Sequence, residues 1–298
     1  MTKPQQRFGL SCALATPFAP NGTVDLPRLV AHSRSRLAAG CASVTICGTT
    51  GEGASLGSES REDMLGALRG AGLDLEREVV TGIAASSVEE AIAQAGQAAS
   101  FGCRTLLVPP PFYFKDAPDD GLLRWFSLVL VRVAADGQRA ILYHIPPVTA
   151  VPLGLDLIDK LKKRFPGTVQ GVKDSSGDWA YARKLLRAHG DLAILIGDER
   201  QLARAVRLGG SGAISGLANV VPELLLPLAS DGRDDPRINA LVDELLRHPV
   251  IPAIKELVAH RTGDAAWRSV APPLEPLADK QAQRLRKAFD AITARAPA

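Results

Sequence analysis

The chain has 298 residues, of which 46% are hydrophobic, so it is long enough and apolar enough to bury one large core. Its 35 basic and 32 acidic residues leave a formal net charge of +3 without a basic tail, which argues against nucleic acid and lipid as partners. The first ten residues are too polar for a signal peptide and no apolar stretch reaches the ~18 residues of a membrane span, so we expect a cytoplasmic protein with no membrane partner.

Short apolar runs alternate with longer helical patterns, and this alternation is the main architectural signal. Eight runs are strand candidates: Gly9–Phe18, Ser43–Cys47, Val79–Ile83, Thr105–Val108, Ala140–Ile145, Val169–Val172, Ala193–Ile196 and Ala213–Leu217. The helix candidates that follow them are Leu26–Ala39, Ser58–Ala71, Ser87 to about Gly102, about Asp119 to Ala135, Leu155–Phe165, Trp179–His189 and Gln201–Leu208. Parallel strands buried on both faces are continuously apolar, as these runs are. We therefore predict an α/β fold, a (β/α)8 TIM barrel, over a doubly wound open sheet.

From about Pro222 onward the pattern is wholly helical. The helices predicted there are Arg237–Arg247, Ile251–Arg261 and Gln281–Arg295. No low-complexity linker precedes them, which favours one compact chain over two independent domains. We predict that residues 1–221 form the barrel catalytic core and that residues 222–298 form a helical C-terminal extension packed on it.

The four cysteines have no metal-ligand spacing. They are Cys12, Cys41, Cys47 and Cys103, and all but Cys41 lie in or beside apolar strand-like runs. This placement favours reduced thiols in the core of a cytosolic protein over a metal site or a disulfide. We expect neither a metal nor an organic cofactor.

Lys173 is the sharpest candidate for chemistry, because it ends the apolar run Val169–Val172. Active sites of this fold lie at the carboxyl ends of the strands. Burial disfavours a charged ammonium and can lower the pKa of a lysine, and attack on a carbonyl requires the neutral amine. A lysine that extends to solvent, or one that pairs with the adjacent Asp174, is the alternative.

Hydroxyl groups follow two other predicted strands. Tyr143 lies near the end of the fifth strand, where a phenol can relay protons to and from a carbinolamine. A core tyrosine with a satisfied hydroxyl is the alternative. Thr49 and Thr50 lie in a turn flanked by Gly48 and Gly51, and the backbone amides of the two threonines can bind a carboxylate. A plain strand-to-helix loop would have a similar sequence.

Taken together, these residues resemble the dihydrodipicolinate synthase and N-acetylneuraminate lyase family of class I aldolases. The matching segments span nearly the whole chain: Ala15–Phe18, Gly48–Glu52, Tyr143–Pro146, Gly171–Ser175, Gly197–Glu199 and Gly209–Asn219. Several motifs in the expected order are far more specific than any one of them.

The resemblance implies a role for each reactive residue. Lys173 would form the Schiff base with a 2-oxo acid, and Tyr143 would shuttle protons beside the imine. Thr49 would link Tyr143 to a second tyrosine from a neighbouring subunit, and Tyr113 occupies the matching place. Thr50 and the adjoining amides would hold the substrate carboxylate. Since family members are commonly tetramers, we expect a homotetramer.

The same resemblance implies the rest of the pocket. The backbones of Gly197 and Ile214 would line its wall, and Ser175 would contact a hydroxyl on the second substrate carbon. A solvated loop serine is the alternative. Asp198 and Glu199 resemble the acidic pair with which sialic acid lyases hold sugar hydroxyls, but similar residues occur in members that bind no sugar.

Two departures bear on the substrate. Dihydrodipicolinate synthases have an arginine after the tyrosine motif, which holds the carboxylate of aspartate semialdehyde, and Val148 stands at that position. A valine cannot form the bidentate pair that arginine makes with a carboxylate. His144 replaces the commoner asparagine, either to donate to a substrate hydroxyl or to pack in the core.

We therefore expect a Schiff-base-forming, pyruvate-dependent aldolase of 2-keto-3-deoxy sugar acids or 4-hydroxy-2-oxo acids. The alternatives within the class are dihydrodipicolinate synthase itself and a hydro-lyase of 2-keto-3-deoxy acids. From other classes, a catalytically idle barrel that binds 2-oxo acids and a phosphate-binding barrel are alternatives. The loop Ser215–Asn219 lacks a glycine-rich phosphate cradle, which argues against the last.

Overall fold

The computed structural model describes residues 7–294 and contains eight short parallel strands. The strands are β1 (Gly9–Ala13), β2 (Ser43–Ile46), β3 (Val79–Gly82), β4 (Thr105–Val108), β5 (Arg139–His144), β6 (Val169–Asp174), β7 (Ala193–Ile196) and β8 (Gly212–Ser215). Each strand pairs with the next along the chain, and β8 pairs with β1 to close the barrel. The predicted (β/α)8 fold is confirmed.

Helices follow the strands and surround the barrel. Up to β8 they are α1 (Leu26–Ala38), α2 (Ser58–Gly70), α3 (Val88–Ser100), α4 (Asp119–Ala135), α5 (Pro146–Thr149), α6 (Leu155–Arg164), α7 (Trp179–Ala188) and α8 (Glu199–Arg207). After β8 come α9 (Pro222–Asp231), α10 (Pro236–Leu245), α11 (Val250–Thr262) and α12 (Asp279–Thr293). The three helices predicted for the C-terminal part correspond to α10, α11 and α12, although Arg295, the predicted end of the last, lies outside the described residues.

Two apolar clusters fill the molecule, one inside the barrel and one around it. The inner cluster consists of Ala13, Val80, Leu107, Ile141, Tyr143, Ile145, Leu195 and Ile214. The outer cluster lies between strands and helices and includes Ile254, Leu257 and Phe289 of the C-terminal helices. These helices therefore share a core with the barrel. Helix α9 also packs on the barrel, against α8 and β1, so no gap in packing marks a boundary at its start. The division of the chain after residue 221 stays a prediction.

The first strand is shorter than predicted. It ends at Ala13, whereas the apolar run continues to Phe18. The amide of Ala15 donates to the Asn219 side chain at 3.0 Å, and Pro17 has no amide to donate to a strand. Phe18 then forms an isolated antiparallel bridge with Val24. The predicted extent of this strand was wrong because tertiary hydrogen bonds draw the chain out of the barrel wall.

The four cysteine thiols are free and buried. Within residues 7–294, no group of three His, Cys, Asp or Glu side chains is placed to hold a metal ion. None of the helices in that range combines the length and apolar character needed to span a bilayer.

A buried arginine connects the loop after β2 to the end of β3. Arg61 of α2 is 2% exposed, and its guanidinium donates to the carbonyl oxygens of Leu56, Gly53 and Gly82 at 3.3, 2.7 and 2.9 Å. Hydrogen bonds from a charged donor are stronger than neutral ones, and a buried carbonyl that loses its donor is costly. Arg61 therefore braces the segment that follows β2.

We expect Arg61→Met to lower the free energy of unfolding by about 3 kcal/mol, because it leaves three buried carbonyls without this donor. For a chain of this size the melting temperature should fall by roughly 5–10 °C. Arg69→Met is the matched control, since Arg69 is an exposed residue of the same helix that stacks on Phe101. Calorimetry of both variants should separate them; equal melting temperatures would contradict the bracing role.

His144 faces the helices outside the barrel, because side chains alternate along a strand and its neighbour Tyr143 faces inward. Its Nδ1 accepts a hydrogen bond from the Leu153 amide at 3.0 Å, and its ring stacks on Tyr181 with centroids 4.1 Å apart. Burial lowers the pKa of His144 to about 4, against the opposing charge of Asp178. Of the two roles considered for His144, packing fits this environment.

This lowered pKa makes stability depend on pH. The unfolded chain binds the proton near pH 6.5, before the folded chain does, so the stabilisation is complete above that pH and is lost as the pH falls toward 4. Between pH 7 and pH 5 the loss from this group should be about 2 kcal/mol. His144→Asn keeps the acceptor and removes the titration, so its unfolding free energy should fall less than that of the wild type. Parallel pH dependences in urea titrations of the two proteins would refute this assignment.

Candidate active site

The neighbouring strands β5 and β6 bring the two principal candidates together. Their parallel register pairs Tyr143 with Lys173, and both side chains point into the barrel near its carboxyl end. Lys173 is 5% exposed, and its Nζ donates to the Tyr143 hydroxyl at 3.2 Å. That hydroxyl lies 3.4 Å from the hydroxyl of Thr49. An amine, a phenol and an alcohol thus form one continuous chain.

Two adjoining cavities open above this chain. The larger, of about 590 Å³, is lined by Lys173, Thr50, Ser175, Gly197, Asp198 and Ile214 among others. The smaller, of about 280 Å³, is almost wholly apolar and includes Gly48, Ile83, Leu107 and Phe112. Thr49, Tyr143 and Val148 border both cavities. The larger has the size of a small-molecule site and is lined by the predicted nucleophile, Lys173.

Burial alone does not distinguish the reactive lysine, since two lysines are buried in the described part of the chain. Lys255 of α11 is 0% exposed and donates to Glu52 and to the carbonyl of Thr16, at 2.5 and 2.8 Å. Burial lowers the pKa of Lys255, against the opposing effect of Glu52. Lys255 borders neither cavity, whereas Lys173 lines the larger one. Access to a ketone therefore favours Lys173.

The turn after β2 places two hydroxyls and two amides at the cavity. Cys47 and Glu52, which bracket it, both have a left-handed backbone with φ of 55°. Within residues 7–294 the amides of Thr49 and Thr50 donate to no protein acceptor. Adjacent free amides beside a hydroxyl are suited to a carboxylate. The structure thus places this pair where the sequence predicted an anion site.

The opposite wall is formed by the ends of β6, β7 and β8. Ser175 comes directly after β6, and a Cβ at Gly197 would overlap its hydroxyl, so a larger residue there would displace Ser175. The amide of Gly197 donates to the Asp174 carbonyl at 2.7 Å. Ile214 is 1% exposed and lies in the inner cluster. All three predicted wall residues, Ser175, Gly197 and Ile214, border the larger cavity.

Charged side chains lie at the N-terminus of α8, at the border of the larger cavity. Asp198 caps the helix through the Arg200 amide and pairs with the Arg200 guanidinium at 2.7 and 3.0 Å. Arg200 also donates to Asp243 at 2.7 Å. Glu199 accepts from the Ser215 hydroxyl at 2.6 Å, and burial raises the pKa of Glu199. Arg200 is therefore matched by two carboxylates, a network that the sequence did not reveal.

Tyr113 is not brought to the site by its own chain. It lies in the loop between β4 and α4, is 73% exposed, and packs edge-to-face on Phe114 at 5.1 Å. Neither cavity includes Tyr113. Its neighbour Phe112 borders the smaller one. Among the described residues, Tyr113 therefore makes no contact with Thr49 that would extend the chain of hydroxyls.

Sequence reasoning missed the buried ions behind the site. Arg61 and Lys255 lie on helices and look there like ordinary surface cations. A signal existed for Lys255, because the flanking segments Pro252–Ile254 and Leu257–Ala259 are apolar on both sides. A helix that is apolar all round is buried, so a cation within it needs a partner. The identity of that partner, Glu52, depends on tertiary contacts.

Comparison with known proteins gives a consistent result. The model of the dihydrodipicolinate synthetase family matches residues 6–292. An uncharacterized DapA-like lyase of Chloroflexus aurantiacus is 33% identical, over 96% of this chain and 97% of its own. The crystal structure of dihydrodipicolinate synthase from Agrobacterium tumefaciens str. C58 superposes with a TM-score of 0.94 at 50% identity, covering 96% of this chain and 99% of that one.

A more distant structure shares the fold alone. A doubly substituted variant of 2-keto-3-deoxygluconate aldolase from Sulfolobus solfataricus superposes with a TM-score of 0.83 at 18% identity, covering 96% of each chain. The family match covers nearly the whole chain, and the arrangement of Lys173, Tyr143 and Thr49 lies within it. The chain belongs to the dihydrodipicolinate synthetase family and is a lyase of the class I aldolase type.

Proposed function

We propose that this enzyme cleaves or forms a carbon–carbon bond of a 2-keto-3-deoxy sugar acid, with Lys173 as the Schiff-base nucleophile and pyruvate as the common product or substrate. The observation that carries the proposal is the hydrogen-bonded chain from Lys173 through Tyr143 to Thr49 at the base of a cavity of about 590 Å³. A buried amine beside a phenol is suited to attack on a ketone followed by proton transfer.

In the cleavage direction the neutral Nζ of Lys173 attacks C2 of the 2-oxo acid, and the Tyr143 hydroxyl gives its proton to the carbonyl oxygen. Loss of water from the carbinolamine leaves an iminium. The Tyr143 oxygen then takes the proton of the C4 hydroxyl while the C3–C4 bond breaks into the iminium. An aldehyde leaves, and the pyruvate enamine is protonated at C3 and hydrolysed.

Thr49 and Thr50 have different tasks in this scheme. The Thr49 hydroxyl, 3.4 Å from that of Tyr143, passes the proton onward. Thr50 and the free amides of the turn hold the C1 carboxylate, which fixes C2 over Lys173. Positioning of this kind contributes much of the rate of a reaction between bound groups.

The charges around the larger cavity favour an aldehyde without a second carboxylate. Val148, which is 59% exposed at the border of both cavities, carries no charge. Arg200 is paired with Asp198 and Asp243, so this triad has an excess of negative charge. Carboxylates accept hydrogen bonds from hydroxyls but disfavour an added anion. A hydroxylated aldehyde fits this wall better than aspartate semialdehyde or glyoxylate does, and Asp198 and Ser175 are the proposed contacts.

Dihydrodipicolinate synthase activity is the second candidate. It is favoured by the 50% identity to the Agrobacterium tumefaciens protein that bears this name. It requires condensation with aspartate semialdehyde, whose carboxylate would meet Val148 where these synthases have an arginine. This missing charge places the activity second.

We also propose a cytoplasmic homotetramer in which Tyr113 of one subunit completes the proton relay of another. Tyr113 and Phe114 are 73% and 74% exposed, an unusual state for two adjacent aromatic residues. The apolar cavity beside Thr49 offers space for an inserted side chain. The four free, buried thiols suit a reducing compartment.

Incubation with pyruvate and borohydride should add one reduced pyruvate adduct per chain, at Lys173. Lys173→Met should give no adduct and should lower kcat/KM by at least about 10³-fold, because the covalent route is lost. Lys162→Met is the control, since Lys162 pairs with Asp191 at the surface and should leave adduct formation unchanged. Intact-protein and peptide mass spectrometry make the measurement. An adduct in the Lys173→Met protein, or none in the wild type, would refute the assignment.

Steady-state assays should show a higher kcat/KM for 2-keto-3-deoxygluconate than for 4-hydroxy-2-oxoglutarate or for condensation of pyruvate with aspartate semialdehyde.

The substitution Val148→Arg should raise kcat/KM for the semialdehyde by about tenfold, since a charge-assisted pair contributes on the order of 1.5 kcal/mol. Val148→Met, of similar length and uncharged, should not. Efficient condensation of pyruvate with aspartate semialdehyde by the wild type would contradict the sugar-acid proposal and favour synthase activity.

A further inference from the structure

The turn that carries Thr49 and Thr50 has a strained backbone. Glu52, at its end, has a left-handed conformation with φ of 55°, which residues other than glycine rarely adopt. Its amide donates to the Thr49 carbonyl at 3.0 Å, so the orientation of Glu52 is transmitted directly to Thr49. Strained conformations persist where surrounding contacts determine them.

The contacts that hold the Glu52 carboxylate come from α11 and from the loop before α12, and not from the barrel. The Glu52 carboxylate is buried; one oxygen accepts from Lys255 at 2.5 Å and the other from the Ala271 amide at 2.7 Å. Lys255 is 203 residues away along the chain. It also donates to the carbonyl of Thr16, whose hydroxyl in turn donates to the Gly51 carbonyl at 2.7 Å. Lys255 is thus connected directly to Glu52 and, through Thr16, to Gly51.

A stability role alone is a poor explanation for such a pair. Removing two charges from water is costly, and replacement of buried ion pairs by apolar side chains is often neutral or stabilising. Neither Glu52 nor Lys255 lines the larger cavity, and Lys255 has no exposed surface. What the pair provides is a directional connection between α11 and the turn.

We propose that Lys255 and Glu52 are positioning residues, which hold Thr49 and Thr50 in register with Tyr143 and Lys173. The inference rests on the proposed Schiff-base function. The hydroxyl of Thr49 lies 3.4 Å from that of Tyr143, at the outer limit of a hydrogen bond, so a small displacement of the turn separates them. The same displacement moves the amides away from the substrate carboxylate. The C-terminal helix α11 thereby helps to position the reacting groups of the barrel.

The test uses Glu52→Gln and Lys255→Met in the full chain, with active sites counted by borohydride trapping at saturating pyruvate. Per trapped site, each variant should show a KM for pyruvate raised at least about fivefold and a kcat lowered about tenfold. Changes of this kind are expected when binding and reacting groups are displaced in a protein that is still folded. A protein that had merely lost stability would have fewer trapped sites with unchanged constants. Wild-type KM and kcat per trapped site would overturn the proposal.

Glu256→Gln is the matched control. Glu256 follows Lys255 on α11, is 3% exposed and pairs with Arg268 at 2.8 Å and with Arg286. Among the described residues neither arginine forms a hydrogen bond to the turn. It should lower the melting temperature without changing either constant per trapped site. If Glu256→Gln changes both constants as much as Lys255→Met does, the effect is general to the extension and the proposal is wrong.

The double variant Glu52→Gln/Lys255→Met covers the case in which Lys255→Met does not fold, since it leaves no unpaired charge buried. We expect it to trap pyruvate with the raised KM; a wild-type KM would overturn the proposal. An adduct in the wild type together with unaltered variants refutes the positioning role alone. Absence of an adduct in the wild type refutes the proposed function and the positioning role with it.

Discussion

The parallel register between β5 and β6 sets Tyr143 beside Lys173 inside a closed barrel, and the rest of the site depends on this pairing. Because side chains alternate along a strand, the same register sends His144 outward to stack on Tyr181. If β5 slipped by one residue, Tyr143 would turn outward and His144 would face Lys173 inside the barrel. Closure of the sheet through β1 and β8 fixes the register and keeps the amine among apolar side chains.

Three basic side chains are buried at or behind the carboxyl end of the barrel, and their surroundings give them different roles. Arg61 is surrounded by carbonyl oxygens and braces a loop. Lys255 is matched by a carboxylate and connects the C-terminal helices to the turn. Lys173 has only the hydroxyl of Tyr143 as a hydrogen-bond partner among the described residues, and it borders open space. An amine without a carboxylate partner is the one available to react.

The barrel could be predicted from the sequence, and Lys173 singled out as the candidate nucleophile, because both leave a local signal. Eight continuously apolar runs indicate parallel strands, and a lysine that ends one of them is out of place unless it is used. The end of the first strand was predicted wrongly because the hydrogen bond from Ala15 to Asn219 is tertiary. The partnership of Glu52 with Lys255 could not be predicted either, since it joins residues 203 positions apart. The local sequence pattern indicates whether a segment is buried, but the partner of a buried polar residue depends on tertiary packing.

A crystal structure of the enzyme soaked with pyruvate tests the central claim most directly. The account predicts continuous density from Lys173 Nζ to C2 of the acid, with the carboxylate against the amides of Thr49 and Thr50 and the Tyr143 hydroxyl beside the new bond. Pyruvate bound elsewhere, or a covalent bond to any other lysine while Lys173 stays free, would contradict it.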